Sequence, residues 1–334
     1  MIQVTPTILQ PKSWQQELAT AITDPAELLK VLNLPDTLLP AARQASQLFA
    51  LKVPLAYCQR IRQGDVNDPL LRQILPLGLE LETVAGYSAD PVGDHAAMES
   101  PGLLQKYQGR ALLLTTGACA VHCRYCFRRE FPYTEANPAR NDWQQALSYL
   151  TEATDINEII LSGGDPLTLS DERLNSLIQA LEAIPHLQRL RIHSRLPVVL
   201  PNRITDELCS TLAQSRFQTV MVLHSNHANE IDDTVAEACQ QLASSGTALL
   251  NQSVLLAGIN DSAEQLITLS ERLFAVGVLP YYLHQLDKVS GGAHFSVADS
   301  VAKQLLIDIQ AKLSGYLVPK LVRESAGANS KLPL

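Results

Sequence analysis

The sequence predicts an α/β fold, a partial (β/α)6 barrel of the TIM type preceded by a helical region. Three observations carry that reading. After Arg110, short apolar segments recur, each followed by an amphipathic helical pattern, and such alternation builds a parallel sheet with right-handed crossovers. Polar residues stand at the end of each apolar segment, where barrels of this kind gather their chemistry. The chain has 334 residues and a hydrophobic content of 46%. That length permits about two domains, or one α/β barrel taking all of it.

The elements follow in order. Residues 1–104 read as the helical N-terminal region, with helical patterns from about Trp14 to Leu32 and from about Leu39 to Arg62. A short helix is opened by Asp68 and closed before Pro76. Residues 105–315 read as the barrel, with strands at Ala111–Thr115, Glu158–Ser162, Leu190–His193, Thr219–His224, Ala248–Val254 and Pro280–His284. Trp143, Ala146, Leu147 and Leu150 form one helical stripe, and Leu174, Leu177, Ile178 and Leu181 the next. Ser262 and Gln265 form a capping box ahead of Leu266, Leu269 and Leu273, and Gly277 supplies the stop. Residues 316–334 read as a C-terminal strand, Leu317–Val322, and a tail. An open sheet is the alternative, but six units and a further strand suit an incomplete barrel.

Net charge is −8, and no Lys/Arg cluster interleaves with aromatics, which disfavours a nucleic-acid surface. Met1–Pro6 lacks the basic start of a signal peptide. No apolar run approaches the ~20 residues that span a bilayer. A protein without membrane contacts, in the cytoplasm, is expected. Cys58, Cys209 and Cys239 adjoin leucines at helical or neighbouring positions and read as small buried hydrophobes.

The remaining cysteines, Cys119, Cys123 and Cys126, form a CxxxCxxC triplet directly after the first strand, with Tyr125 before the last. Three thiolates on one loop can hold three irons of a four-iron cluster and leave the fourth iron open, whereas such clusters ordinarily take four cysteines. A zinc site of three cysteines and a histidine, His122 or a distant one, is the other reading, although structural zinc ligands usually come as two spaced pairs.

The stretch Cys119–Cys126 resembles the cluster loop of radical S-adenosylmethionine (SAM) enzymes. With Cys126-Phe127-Arg128-Arg129, Ser162-Gly163-Gly164-Asp165-Pro166-Leu167, His224-Ser225-Asn226-His227 and Asn251-Gln252-Ser253-Val254-Leu255-Leu256, the chain resembles the lysine 2,3-aminomutase family from about Asp68 to Lys331. In that family SAM and pyridoxal phosphate (PLP) together move an amino group from Cα to Cβ.

The resemblance implies a role for each matching residue. Cys119, Cys123 and Cys126 would ligate a [4Fe-4S] cluster. Tyr125 would lie near the adenine of SAM, and the Gly163-Gly164 turn would let backbone approach its amino-acid part, with Ser162, Asp165 and Gln252 contributing further contacts. Lys331 would hold PLP, with Tyr107 and Arg110 near its ring and phosphate. The family's glycine run before this lysine is here Ser325-Ala326-Gly327-Ala328-Asn329-Ser330, with one glycine. Arg128 would pair with the substrate carboxylate. Asp287 and Glu324 would hold the ε-ammonium of L-lysine, the second position being Glu where the family usually has Asp.

The chain looks like the shorter members that make β-lysine for modifying elongation factor P, since it ends just after Lys331. A β-lysine ligase and elongation factor P would act downstream, and flavodoxin or ferredoxin would supply electrons. The alternatives are a catabolic lysine 2,3-aminomutase and, in another class, a non-catalytic iron–sulfur or zinc protein acting as a redox sensor.

Overall fold

The computed structural model describes residues 13–133 and 143–334; the Met1–Pro6 stretch lies outside them. Among the described residues, ten strands form one sheet in sequence order. They are β1 (Met98–Ser100), β2 (Leu103–Tyr107), β3 (Arg110–Thr116), β4 (Glu158–Gly163), β5 (Arg189–Ser194), β6 (Gln218–His224), β7 (Ala248–Leu255), β8 (Leu279–Gln285), β9 (Lys320–Arg323) and β10 (Leu332–Pro333). Neighbours from β3 to β9 run parallel, and β1, β2 and β10 add antiparallel edges.

The parallel strands form because their runs are apolar enough to be covered on both faces. Every residue of β4 is buried, as a strand between helical layers requires. In β7 burial alternates. Asn251 and Ser253 turn to Ser225 on β6's end, while Gln252 and Val254 line the barrel's cavities, the period of two that a pleated strand imposes. The connecting helices are capped by side chains. Ser170, Thr205, Asp232 and Ser262 each accept a backbone N–H of the first turn, satisfying donors the helix cannot pair internally.

The structure differs from expectation at three places. The two long N-terminal helical patterns are each interrupted, giving Trp14–Ala19 with Pro25–Val31 and Leu39–Leu48 with Leu55–Cys58. Asp24 caps a new helix with Pro25 at its first position, and Pro54 precedes another; each proline suits a start and ends what precedes it. The Asp68–Pro76 helix is a single 3-10 turn, Leu71–Gln73, with Asp68 accepting from Leu70 and Leu71. The sheet also begins at Met98, inside the region read as helical, because β2 turns at Gly109 (φ +76°) into β3. Cys58 and Cys239 are buried, whereas Cys209 is half-buried against the core's edge.

Candidate active site

The triplet loop is gripped by the N-terminal segments. Arg124, wholly buried, donates to both oxygens of Glu80 at 2.9 and 2.6 Å and to the carbonyl of Phe49 at 2.7 Å. Arg129 adds a third contact to Glu80 at 2.9 Å, and both guanidiniums lie over the Phe49 ring. Removing one partner of a buried pair leaves an uncompensated charge. Glu80→Gln is therefore expected to cost ~3–5 kcal/mol of stability. Urea unfolding checks this, and a loss below about 1 kcal/mol, the scale of an exposed pair, would contradict it.

The loop's chemistry fits an iron cluster better than zinc. Burial and the neighbouring thiols push Cys119 well up and Cys126 to about 11, a cost that a bound cation offsets by holding the thiolates. His122, the nearby fourth ligand a zinc site would want, stacks on Phe49 with ring centroids 5.1 Å apart and bonds the Ala50 carbonyl at 2.8 Å. Arg195, from the end of β5, donates through Nη1 to Cys123 Sγ at 2.6 Å.

The β4 end docks tightly on this loop. A Cβ on Gly163 would stand 2.5 Å from the Thr116 carbonyl, and one on Gly164 2.2 Å from that of Ala118. Gly163 also has φ +123°, a region side chains avoid. The glycines are thus required by contact with the cysteine loop itself. Asp165, expected to contact SAM, lines the cavity of the cysteine loop and accepts from Leu167, Ser194, Arg195 and Leu196 at 2.7–3.2 Å. Its oxygens tie the ends of β4 and β5 together, and burial raises its carboxyl to about 6. Tyr125 borders the cavity, its hydroxyl accepting from Asn226 at 2.6 Å. Gln252 meets the His224 ring at 2.8 Å.

Two cavities open at the C-terminal strand ends, of about 340 and 170 Å³. The cysteines, Tyr125, Gly163, Gly164 and Asp165 line the first, and Tyr107, Arg110, Glu324 and Lys331 line the second. Arg128, Ser162, His193, His224, Gln252, His284 and Asp287 line both. The candidate residues therefore form two groups joined by a common wall.

The tail hairpin explains Lys331. β10 pairs with β9, Leu332 opposite Arg323, so the next pair outward sets Lys331 against Glu324, and its ammonium bonds that carboxylate. Only Gly327 in the connecting turn has positive φ, at +75°, so one glycine suffices where the family has several. Glu324 also accepts from Lys106 at 2.8 Å, Lys106 reaches Asp94 at 2.6 Å, and Asp94 holds Arg128 Nε at 2.6 Å. One chain of charges thus runs Arg128–Asp94–Lys106–Glu324–Lys331. Burial pushes Glu324 up, but Lys331 and Lys106 outweigh it and hold its carboxyl down at about 2. Burial, with the Glu324 charge, pushes Asp287 up to about 7.

Burial also keeps the three histidines of the shared wall neutral, His224 and His284 falling to about 3 and His193 well below its usual value. Tyr107 OH, His193 Nε2 and His284 Nε2 are buried without a partner among the described residues. Unpaired buried polar atoms are rare, and together with Lys331 they fit a polar cofactor such as PLP. The sequence reading did not single out Asp94, Lys106, Arg195 or Glu230. Only Arg195, two residues past the expected strand Leu190–His193, stands at a position that reads as functional in a barrel.

The Radical SAM superfamily profile matches residues 113–269. The chain is 50% identical over 326 residues to the L-lysine 2,3-aminomutase of Haemophilus influenzae, covering 98% of this chain and 96% of that protein. It is 50% identical over 324 residues to the Escherichia coli protein of the same name, covering 97% and 94%. With the L-lysine 2,3-aminomutase of Clostridium subterminale it shares 35% over 323 residues, 96% of this chain and 77% of that protein.

Proposed function

The chain belongs to the L-lysine 2,3-aminomutase family of radical SAM enzymes, and on that premise we propose that its two joined cavities convert L-lysine to β-lysine. It is an isomerase that uses a [4Fe-4S] cluster, SAM and PLP. The observation that carries the site assignment is the shared wall: the cysteine loop and Lys331 open onto the same side chains from opposite ends. When bound, the cluster and SAM supply a hydrogen-abstracting radical, and PLP supplies the group that carries the migrating amine.

The protein's own residues hold and orient. Cys119, Cys123 and Cys126 hold the cluster, and Tyr125 and Gln252 border the SAM space. Lys331 anchors PLP, flanked by Tyr107 and Arg110, whose guanidinium lies 4.7 Å from the Tyr107 ring centroid. Arg128, fixed by Asp94 and by Ser162 at 3.2 Å, takes the substrate carboxylate as a bidentate fork can. Glu324 is already matched by two lysines, so Asp287 is the carboxyl with capacity for the incoming ε-ammonium. The neutral histidines line the wall without adding charge.

This division of labour gives a pH dependence. Asp287 must lose its proton to pair with the ε-ammonium, so lysine binding releases a proton. With a carboxyl at about 7, kcat/KM for lysine should fall tenfold per pH unit as pH drops below about 7. Glu324, held at about 2, stays ionised throughout that window. Asp287→Asn should cost roughly 2–4 kcal/mol in kcat/KM and remove this limb. A variant that keeps the same limb would contradict the assignment.

The downstream reading is that β-lysine passes to a ligase that modifies elongation factor P, and that a flavodoxin or ferredoxin reduces the cluster. It rests on likeness to the shorter family members. The two 50% identical relatives are matched along 96% and 94% of their own length, the Clostridium relative along 77%. Cells lacking the protein should carry elongation factor P without β-lysine, and free β-lysine should not accumulate when it is present. Accumulation of free β-lysine with unaltered elongation factor P would favour a catabolic enzyme.

A further inference from the structure

Arg195 enters the site from the end of β5 and is 4% exposed. Its position is fixed from several sides. The backbone N–H donates to Asp165 at 2.7 Å, and Nη2 donates to Gln73 at 2.6 Å, Glu230 at 3.2 Å and Tyr57 at 3.3 Å. Gln73 is itself bonded to Glu230 at 2.9 Å and to Asn226 at 3.0 Å. The remaining terminal nitrogen, Nη1, points at Cys123 Sγ, 2.6 Å away. A locked guanidinium therefore places a full positive charge and an N–H donor on one of the three sulfurs that hold the cluster. Cys126 by contrast receives a backbone N–H, from Arg128.

We propose that Arg195 is a positioning residue that sets the reduction potential of the cluster through its hydrogen bond to Cys123 Sγ. The inference rests on the cluster assignment above. The step concerned is a one-electron transfer. A low-potential protein donor gives up one electron, the cluster accepts it, and the net charge of the cluster with its thiolates becomes one unit more negative. Hydrogen bonds to the sulfurs and nearby charge are among the determinants of such potentials. In a buried site with low effective dielectric, a cation against a ligand sulfur favours the more negative, reduced state. Glu230 tempers that effect, because its carboxylate shares the same guanidinium.

The test is an EPR-monitored redox titration of the anaerobically reconstituted full chain without SAM, with iron and sulfide measured on each variant. Arg195→Gln should lower the reduction equilibrium constant at least tenfold, which is about 59 mV more negative for one electron. Arg195→Lys, which keeps the charge, should recover most of the loss. Glu230→Gln should move the equilibrium toward the reduced cluster, giving a reading even if Arg195→Gln fails to retain iron. A shift under tenfold in an iron-replete Arg195→Gln protein, or a Glu230→Gln cluster no easier to reduce than wild type, would overturn the inference. A wild-type chain that takes up no iron would overturn the cluster assignment instead.

Discussion

Cys123→Ala should lose the cluster and with it all reductive cleavage of SAM, while the protein stays folded. The three thiols sit half-buried on a loop after β3, and Cys123 packs against the edge of the main core without being one of its buried members. The loop itself is held by Arg124 and Arg129 on Glu80 and by the His122 N–H on the Lys52 carbonyl, none of which the substitution touches. Two cysteines cannot hold a cluster that ordinarily takes four, so the effect should be close to complete, on the order of 10³-fold or more. Iron analysis, 5′-deoxyadenosine assay and a thermal melt on one preparation separate the two effects. Normal 5′-deoxyadenosine formation would show that the cluster lies elsewhere.

Lys331→Ala should abolish β-lysine formation to a similar degree and leave SAM cleavage measurable. The lysine stands at the far end of the joined cavities from the cysteines, so the two activities separate in space. Its loss also removes one of two cations from Glu324, which should raise that carboxyl from about 2 while Lys106 still holds it down. Borohydride reduction of the PLP-loaded protein followed by peptide mapping gives an independent reading. PLP fixed to Lys331 in the wild type and to no peptide in the variant is the expected result, and label on Lys320 or Lys106 would reassign the anchor.

Several parts of this site are legible in the sequence because they are local. A CxxxCxxC triplet needs no partner from elsewhere to be seen, and the parallel strands announce themselves because burial on both faces demands continuous apolar runs such as Ile159-Ile160-Leu161. Lys331 is legible only through the family resemblance, since nothing in a terminal Ser-Lys-Leu-Pro marks it. Its ion pair with Glu324 depends on the register of a two-residue strand. Asp94 and Lys106 carry no motif. Lys106 meets Glu324 across 218 residues of sequence, and the two stand at opposite ends of the strand order, so only the curling of the sheet that brings β2 toward the β9–β10 hairpin unites them. The N-terminal helices read as a lead-in, but their part in clamping the cysteine loop depends on Glu80 reaching Arg124 across 44 positions. The Gly163-Gly164 pair was legible as a turn, yet its cause is the close approach of Thr116 and Ala118.

Asp287 and Glu324 show how the structure refines a chemically sound expectation. Two acids at a barrel mouth read as a pair for one cation. In the fold Glu324 is an ionised carboxylate already paired with Lys106 and Lys331, while burial first, and the Glu324 charge second, raise Asp287. On the assignment proposed above, specificity for a basic amino acid falls on Asp287, a carboxyl that ionises when its ligand arrives, since an uncompensated buried charge is costly on either side.

The most direct measurement is an anaerobic assay of the reconstituted chain with free L-lysine, SAM, PLP and a low-potential reductant, with products resolved by chromatography and NMR. The expected result is β-lysine formed at the expense of L-lysine, dependent on all three cofactors and lost in both the Cys123→Ala and Lys331→Ala proteins. An iron-replete, PLP-loaded chain that cleaves SAM but leaves L-lysine unchanged would contradict it.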